Sequence, residues 1–337
     1  MSMWKARVEP SLGARVVGRT ALFYARGADE ELDRPAHVRA GSALARLGTN
    51  TLAVVQDDAS FLAILEGVGS ALVVRDVPLP SLDGVRQFDD GRGNKSAKLD
   101  LEACLTWGGM LVAFGSGSSD ARERIALVKN AAYPAPRISI VEAHALYEAM
   151  RNHPIFPGSE LNVEGAALAG DDVIFLQRGN GARRGEREPV SASARVDRAS
   201  LLAYLNGLAR SEAVPCPPLR EVVQWDLGSE GGTRLTFTDA VAARGRWTAF
   251  LACAEASLDA THDGPVTSVS IGRLDDRAAE AELCAILDEN GAPLLDKAEG
   301  IALDDLDPLR AWLVVDRDDP VRPAELLELR LGDRWAT

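Results

Sequence analysis

The chain has 337 residues, of which 46% are hydrophobic, and its formal net charge is −13 at pH 7. This hydrophobic content supports a sizeable core and excludes a disordered chain, and the length fits either two average domains or one large all-β domain. The negative charge argues against general nucleic-acid binding, because neutralising phosphates requires a basic surface.

The N-terminal segment contains no apolar stretch of the length found in signal peptides, and no segment of the sequence approaches the roughly 18 apolar residues of a membrane span. The four cysteines lack the C-x-x-C spacing that is typical of metal or redox sites. They are Cys104, Cys216, Cys253 and Cys284. These features predict a reduced, cytoplasmic protein that does not enter a membrane.

Five short segments share one pattern, in which a small or acidic residue precedes Gly or Ala, an apolar stretch, a turn and a second apolar strand. Their key positions are Ser42, Glu102, Glu164, Asp239 and Glu299, with spacings of 60, 62, 75 and 60 residues. A repeat of four-strand length is typical of a β-propeller, in which each repeat buries its faces against its neighbours. We therefore predict an all-β fold, a single propeller domain over residues 1–337 with five four-stranded blades. Six blades are the alternative if residues 1–40 or an insertion contain another.

In chain order the predicted blades cover residues 41–80, 98–141, 160–227, 233–288 and 297–332. Short β-branched runs separated by turn residues favour an antiparallel meander within each blade. Two short helical insertions are expected at Glu142–Met150 and Ser200–Leu208. The last blade lacks an outer strand, and a strand near residues 14–25 would supply it and remove an open sheet edge.

The inner-strand acids are the first candidate site. Because the innermost strand of each blade lines the central channel, Glu102, Glu164, Asp239 and Glu299 are expected to form a ring at one depth. Four carboxylates in a narrow channel repel one another unless a divalent cation such as calcium or magnesium, shared protons or arginine side chains compensate. In the alternative interpretation, these acids hydrogen-bond backbone amides of the neighbouring blade and join the blades. Ser42 at the fifth position weakens a symmetric cage.

Polar residues at the ends of the second strands are the second candidate site. Each group follows its inner-strand position by about fifteen residues, so antiparallel pairing would gather all of them at one face of the propeller. Any single residue of the set suits an ordinary turn, because Asp, Asn, Gly and Ser are the preferred turn residues. The set taken together favours a polar pocket at the channel mouth for a small molecule or an ion. Its candidate residues, with Arg124 as a nearby anion-binding group, are Asp57, Asp58, Ser116, Ser118, Arg124, Arg178, Asn180, Glu255, Asp316 and Asp318.

Inner strands with Glu-Gly or Glu-Ala, the loop Phe114–Ser119 and the segment Leu176–Asn180 resemble an uncharacterised family of bacterial β-propeller proteins. That family is similar in turn to the phytase-like and regucalcin-like (gluconolactonase) propellers, and the resemblance spans roughly residues 15–330. It implies that acids of the central channel bind calcium or another divalent ion. The Glu, Asn and Asp metal triad of regucalcin-like enzymes has no secure counterpart here, so lactonase activity does not transfer.

Two functions remain open. In the first, channel acids hold a divalent cation, and Arg124 and Arg178 bind the anionic group of a lactone, ester or phosphoester that is hydrolysed. In the second, the propeller binds a small molecule or serves as a scaffold for a protein partner, and the inner acids are structural. No spacing assembles a nucleophile, a base and an orienting group, so the sequence does not decide whether the protein is an enzyme.

Overall fold

The computed structural model describes residues 3–256 and 264–336. The chain begins with three strands that each join a later part of the fold, β1 (Trp4–Lys5), β2 (Arg7–Val8) and β3 (Ala14–Ala21). The first two pair in parallel with the outer strands of blades 3 and 4, and the third pairs with the last strand of the chain. Strands from the N-terminus therefore cover three sheet edges that would otherwise be open.

Blade 1 is an antiparallel sheet of β4 (Gly41–Gly48), β5 (Thr51–Gln56), β6 (Phe61–Glu66) and β7 (Val73–Pro78). Blade 2 repeats this order with β8 (Leu101–Trp107), β9 (Met110–Gly115), β10 (Arg124–Lys129) and β11 (Arg137–Glu142). Gly108 and Gly109 join β8 to β9 with φ of 54° and 79°. Two positive φ values in a two-residue loop are typical of the type I′ hairpin turn, which glycine adopts without steric cost.

Blade 3 contains both α-helices of the described chain. The elements in order are α1 (His144–Asn152), β12 (Val163–Ala169), β13 (Asp172–Gln177), β14 (Ser191–Asp197), α2 (Arg198–Ala209) and β15 (Arg220–Asp226). Helix α2 begins where the Asp197 carboxylate accepts a hydrogen bond from the Ser200 backbone N–H at 2.8 Å. The first helix starts later than predicted, because Glu142 is still paired with Arg124 in blade 2. Neither helix has the length and apolar character needed to cross a membrane.

Blades 4 and 5 complete the sheet order. Blade 4 contains β16 (Ser229–Glu230), β17 (Thr233–Ala242), β18 (Thr248–Glu255), β19 (Val266–Asp275) and β20 (Glu280–Ala285). Blade 5 contains β21 (Lys297–Leu303), β22 (Arg310–Asp316) and β23 (Glu325–Leu331), and β3 is its outer strand. Within residues 3–256 and 264–336, four short 3₁₀ helices lie at Pro10–Leu12, Lys95–Ala97, Asp120–Arg122 and Asp333–Ala336.

The core is divided among the five interfaces between adjacent blades, and each interface holds one cluster of buried apolar side chains. Period-two alternation explains this division, since Ala43 faces blade 2 while Leu44 faces blade 5. The inner strands contact one another in chain order, and β21 contacts β4, which closes the ring. The predicted propeller of five blades, closed by an N-terminal strand and carrying short helical insertions, is confirmed.

Candidate functional site

Each inner strand contains a β-bulge, where one residue has no partner on the second strand. The bulged residues are Ser42, Glu102, Glu164, Thr238 and Glu299. The two hydroxyls of this set join neighbouring blades: Ser42 Oγ donates to the Leu101 carbonyl at 2.5 Å, and Thr238 Oγ1 donates to the Ala298 carbonyl at 2.8 Å. The three glutamates instead line a cavity on the propeller axis.

Asp239 does not belong to the predicted ring of acids, because the bulge of blade 4 lies one residue earlier, at Thr238. The Asp239 side chain is fully buried and is not among the residues that line the axial cavity. Its carboxylate accepts the backbone N–H groups of Ala240 and of Ile301 in blade 5, both at 2.7 Å. This acid joins two blades, which is the structural alternative that the sequence left open.

The axial cavity is small, about 50 Å³, and strongly polar. Below it the inner strands approach so closely that a Cβ on Gly300 would lie 2.7 Å from the Leu44 backbone nitrogen. Six carboxylates of the described residues line the cavity, from Asp57, Asp100, Glu102, Glu164, Glu299 and Asp316. Five cationic side chains line it with Asn162, namely Lys95, Lys98, Arg122, Arg178 and Lys297. Because positive and negative charges nearly balance in this small space, the ion pairs between individual groups determine which carboxylate is left without a partner.

Arg178, at the end of β13, neutralises the acids of blades 3 and 4. It forms ion pairs with Glu164 at 3.1 Å and with Glu255, and its guanidinium lies 4.0 Å from Glu299. Burial opposes the charge of Arg178, but the attraction of these carboxylates outweighs it and raises the pKa of the guanidinium. Asn162 completes this part of the site by donating to Glu164 at 2.7 Å and to Asn180 at 3.3 Å.

Lys98 and Arg122 neutralise the acids near blade 2. The Lys98 ammonium pairs with Asp57 and lies 2.6 Å from Asp100 Oδ1, while Arg122 lies 3.0 Å from Asp100 Oδ2. Ser116 Oγ donates to the same Asp100 carboxylate and lies 2.9 Å from Ser118 Oγ. Ser116 therefore holds Asp100 directly, while Ser118 contacts Ser116 and accepts a hydrogen bond from Arg122 at 2.9 Å. Neither serine is among the residues that line the cavity.

Glu102 is the exception in this network. Among the described residues, no group donates a hydrogen bond to its carboxylate or forms an ion pair with it. Burial and the nearby carboxylates of Asp57, Asp100 and Glu164 raise the pKa of Glu102 well above its usual range. Asp57, Asp100 and Glu102 each offer one oxygen, and these oxygens lie within 4.8 Å of one another.

On the blade 5 side, Lys297 lies 3.0 Å from Glu299 and 3.3 Å from Asp318. Burial raises the pKa of the Glu299 carboxyl, although Lys297 acts in the opposite direction. Burial also raises the pKa of the Asp316 carboxyl, since it outweighs the attraction of the Lys297 ammonium. Several carboxyls of this cavity therefore hold protons more tightly than they would in water.

A wider cavity of about 320 Å³ opens at the channel mouth and shares Asp57, Lys95, Lys98 and Asp316 with the axial cavity. Asp58 and Asp318 also line it. Arg39, whose side chain is only 2% exposed, holds Asp58 at 2.7 Å. Burial and the neighbouring Asp57 charge raise the pKa of Asp58 to about 6. Of the predicted second-strand ends, those of blades 1 and 5 line this mouth, with Asp57, Asp58, Asp316 and Asp318. Arg178 lines the axial cavity instead, and Ser116, Ser118, Asn180 and Glu255 are not among the described residues that line either cavity.

Arg124 is not part of either cavity among the described residues; it lies on β10 and pairs with Glu142 at 3.8 Å. In this loop the arginine that lines the axial cavity is Arg122, in the 3₁₀ turn before β10. Sequence reasoning also missed Asp100, Asn162 and Lys297, each two residues before a bulged glutamate. The signal was available, since residues two apart on a strand face the same side.

Residues 37–331 match a protein family described as "Family of unknown function (DUF6929)". No match was found among curated proteins. Among solved structures the chain is similar to a luciferin-regenerating enzyme, at 10% identity and a TM-score of 0.45, with 94% of this chain and 97% of that chain covered. It is also similar to a protein of unknown function from Bacteroides thetaiotaomicron, at 7% identity, a TM-score of 0.44 and coverages of 93% and 76%. A streptogramin B lyase matches at 9% identity and a TM-score of 0.39, with coverages of 89% and 96%. At these identities and TM-scores the similarities carry no functional argument.

Proposed function

The chain belongs to this family of unknown function, and we propose from the geometry of the axial cavity that the propeller binds a divalent cation at Asp57, Asp100 and Glu102. The observation that carries the proposal is the unpaired Glu102 carboxylate beside two other carboxylates. Lys98 and Arg122 balance two of these three acids, so one negative charge remains for a further cation.

The donor atoms fit a hard cation. Calcium and magnesium take oxygen ligands, and carboxylates are the commonest protein source. Asp57 Oδ1 is buried and has no hydrogen-bond partner among the described residues, although its Oδ2 is held by Lys98. That orphaned oxygen and the two Glu102 oxygens are the acceptors left free, and Asp100 adds charge from within the same cluster. Water or a ligand in the mouth would complete the coordination.

The mouth cavity supplies the space for such a ligand. It is large enough for a small polar molecule, and Lys95 and Lys98 lie where it meets the axial cavity. A bound divalent cation supplies Lewis-acid polarisation and lowers the pKa of a coordinated water. Hydrolysis of a lactone, ester or phosphoester is therefore the enzymatic form of the same proposal, and simple metal-dependent ligand binding is its non-catalytic form.

Isothermal titration of EDTA-treated, dialysed protein with calcium or magnesium chloride tests the proposal. We expect one site per chain, a higher thermal unfolding midpoint with the ion, and tighter binding at pH 7.5 than at pH 6. The pH effect follows because the ion and a proton compete for Glu102. In Glu102→Gln the site loses its unpaired charge, so binding should weaken at least about ten-fold.

The matched control is Glu142→Gln, which removes a mostly exposed acid of blade 2 that does not line the axial cavity. This variant should bind the ion as the unmodified protein does. If neither ion gives heat or a midpoint shift at millimolar concentration, the proposal is wrong. That result would favour the rival function, a protein-interaction scaffold whose axial charges serve only to join the blades.

A further inference from the structure

A second concave region lies beside the outer strands of blade 4, next to both ends of the described chain. This groove, of about 410 Å³, is lined by four cationic side chains and two carboxylates. The cations are Lys5, Arg7, Arg246 and Arg334, and the carboxylates are Glu280 and Glu282. In a chain of net charge −13, a lining with this excess of positive charge runs against the overall balance.

The positive groups are anchored in place. Glu282 is almost fully buried and accepts hydrogen bonds from Arg7 at 2.5 Å, Arg273 at 2.8 Å and Arg334 at 2.9 Å. Arg246 is held by Glu280 at 2.5 Å and by Asp275 at 3.1 Å. Arg7 also pairs with Glu9 at 2.5 Å, so Arg7 and Arg246 each contact two carboxylates through their two terminal nitrogens. A guanidinium has five N–H donors, so each of these side chains keeps further N–H groups that a ligand can use. Arg7 and Arg246 keep more than half of their side-chain surface exposed.

Lys5 adds a charge that the protein itself leaves uncompensated. It is exposed, and among the described residues no carboxylate pairs with its ammonium. Lys5 and Arg7 flank the buried Ala6, whose backbone N–H is held by the Asp226 carbonyl, so both basic side chains leave a fixed backbone. The groove therefore presents preorganised cations, which is the arrangement that favours anion binding.

Aromatic side chains extend the groove on one side. Trp247 lines both the groove and a neighbouring cavity of about 210 Å³. The guanidinium carbons of Arg246 and Arg273 lie 4.7 and 4.6 Å from the Trp247 ring centroid. Trp335 lines the neighbouring cavity as well, and its indole Nε1 is buried without a hydrogen-bond partner among the described residues. This cavity offers the apolar surface of two indole rings.

We propose that the groove binds an organic phosphate, with the phosphate among Lys5, Arg7 and Arg246 and the organic part against Trp247 and Trp335. Guanidinium groups match phosphate oxygens in pairs, and the Lys5 ammonium adds a cation that no described carboxylate pairs with. The groove is independent of the axial cation site. Its aromatic extension is lined by Ala242 and Leu303, the last residues of β17 and β21, whereas the axial site lies at the starts of the inner strands.

Titration with phenyl phosphate tests this inference, with binding followed by calorimetry and by tryptophan fluorescence. The buffer contains EDTA and has constant ionic strength, so the axial cation site does not contribute. We expect saturable binding of phenyl phosphate, weaker binding of inorganic phosphate and no binding of phenol. In the double variant with Lys5→Gln and Arg246→Gln, the affinity for phenyl phosphate should fall at least about ten-fold.

Two matched comparisons make the outcome decisive. Arg137→Gln removes an exposed cation on blade 2, and this variant should bind as the unmodified protein does. Lys5→Gln alone removes a side chain without a carboxylate partner, so its fold is expected to survive and its affinity to fall even if the double variant unfolds. Absence of binding at millimolar phenyl phosphate overturns the inference. Equal weakening in Arg137→Gln also overturns it, because general charge attraction would then explain the binding.

Discussion

Replacing Asp239 with Asn tests the conclusion that this acid joins blades and is not part of a cation ring. Its two carboxylate oxygens accept the N–H groups of Ala240 and Ile301, each at 2.7 Å. Asparagine has the same shape but offers one oxygen and one NH₂ group. One of the two backbone N–H groups would therefore face another donor in a fully buried environment.

The expected cost follows from these contacts. Burial raises the pKa of the Asp239 carboxyl well above its ordinary value, so the hydrogen bonds are counted as neutral ones. Such a bond contributes about 0.5–1.5 kcal/mol, and leaving a buried donor unsatisfied costs about 1–3 kcal/mol. Because asparagine keeps one acceptor, we expect Asp239→Asn to lower the free energy of unfolding by about 2–4 kcal/mol. Thr238→Val removes only the 2.8 Å bond from the hydroxyl to the Ala298 carbonyl. That variant should lose about 1 kcal/mol.

Equilibrium unfolding in urea at pH 7.5 with EDTA measures both losses, and calcium titration of the folded variants measures ion binding. We expect Asp239→Asn to be destabilised while its affinity for the ion stays unchanged. A loss below about 0.5 kcal/mol, within the range of ordinary surface substitutions, would refute the joining role. A stable variant that no longer binds the ion would instead restore Asp239 to the cation site.

Three further predictions concern titration, packing and blade closure. The pKa of Asp58 is raised from 3.8 to about 6, so its protonation stabilises the folded state at low pH, and this contribution is lost as the pH rises through about 6. When urea unfolding is measured between pH 4 and 7, the free energy of unfolding should therefore fall less with rising pH in Asp58→Asn than in the unmodified protein. Gly300→Ala places a Cβ 2.7 Å from the Leu44 nitrogen, so it should lower the free energy of unfolding in the same urea assay by about 1–3 kcal/mol. In the control Gly48→Ala the nearest atom lies 3.9 Å from the new Cβ, and the free energy of unfolding should change little. Deleting residues 1–21 removes β3 and leaves the edge of β23 unpaired. An unpaired edge strand can pair with another chain, so size-exclusion chromatography should show association or aggregation of the shortened protein. A monomeric product that unfolds cooperatively would contradict this account of how the propeller is closed.

The blade architecture could be predicted because its signals are local. Alternating apolar residues, short β-branched runs and glycine-containing turns recur in each blade, and each blade has to cover two faces. The closing strand could be predicted for a similar reason, since the last blade has only three strands in the C-terminal part of the chain and needs a fourth to cover its open edge. Helix positions were accurate to a few residues, limited at Glu142 by a strand that continues into the expected helix.

The charge pairs of the site could not be predicted in the same way. Lys98 and Arg122 compensate Asp100 from opposite sides, and Arg178 reaches carboxylates on three blades. The partner of a long, flexible charged side chain depends on which groups lie near it in the folded molecule. Distances between blades cannot be read from a local sequence pattern. The role of Glu102 could not be predicted for the same reason, because its lack of an ion-pair partner among the described residues can be recognised only once the positions of its neighbours are known.

By itself, the sequence determined that the chain forms five blades and that a strand near the N-terminus completes the last blade. Local alternation and turn chemistry are enough for these features. Only the tertiary structure decided that Thr238 and not Asp239 is the bulged residue of blade 4. A bulge depends on the register between two strands, and a shift of one residue moves a side chain to the opposite face. That single-residue shift separates an acid that holds blades together from three that line the axial cavity.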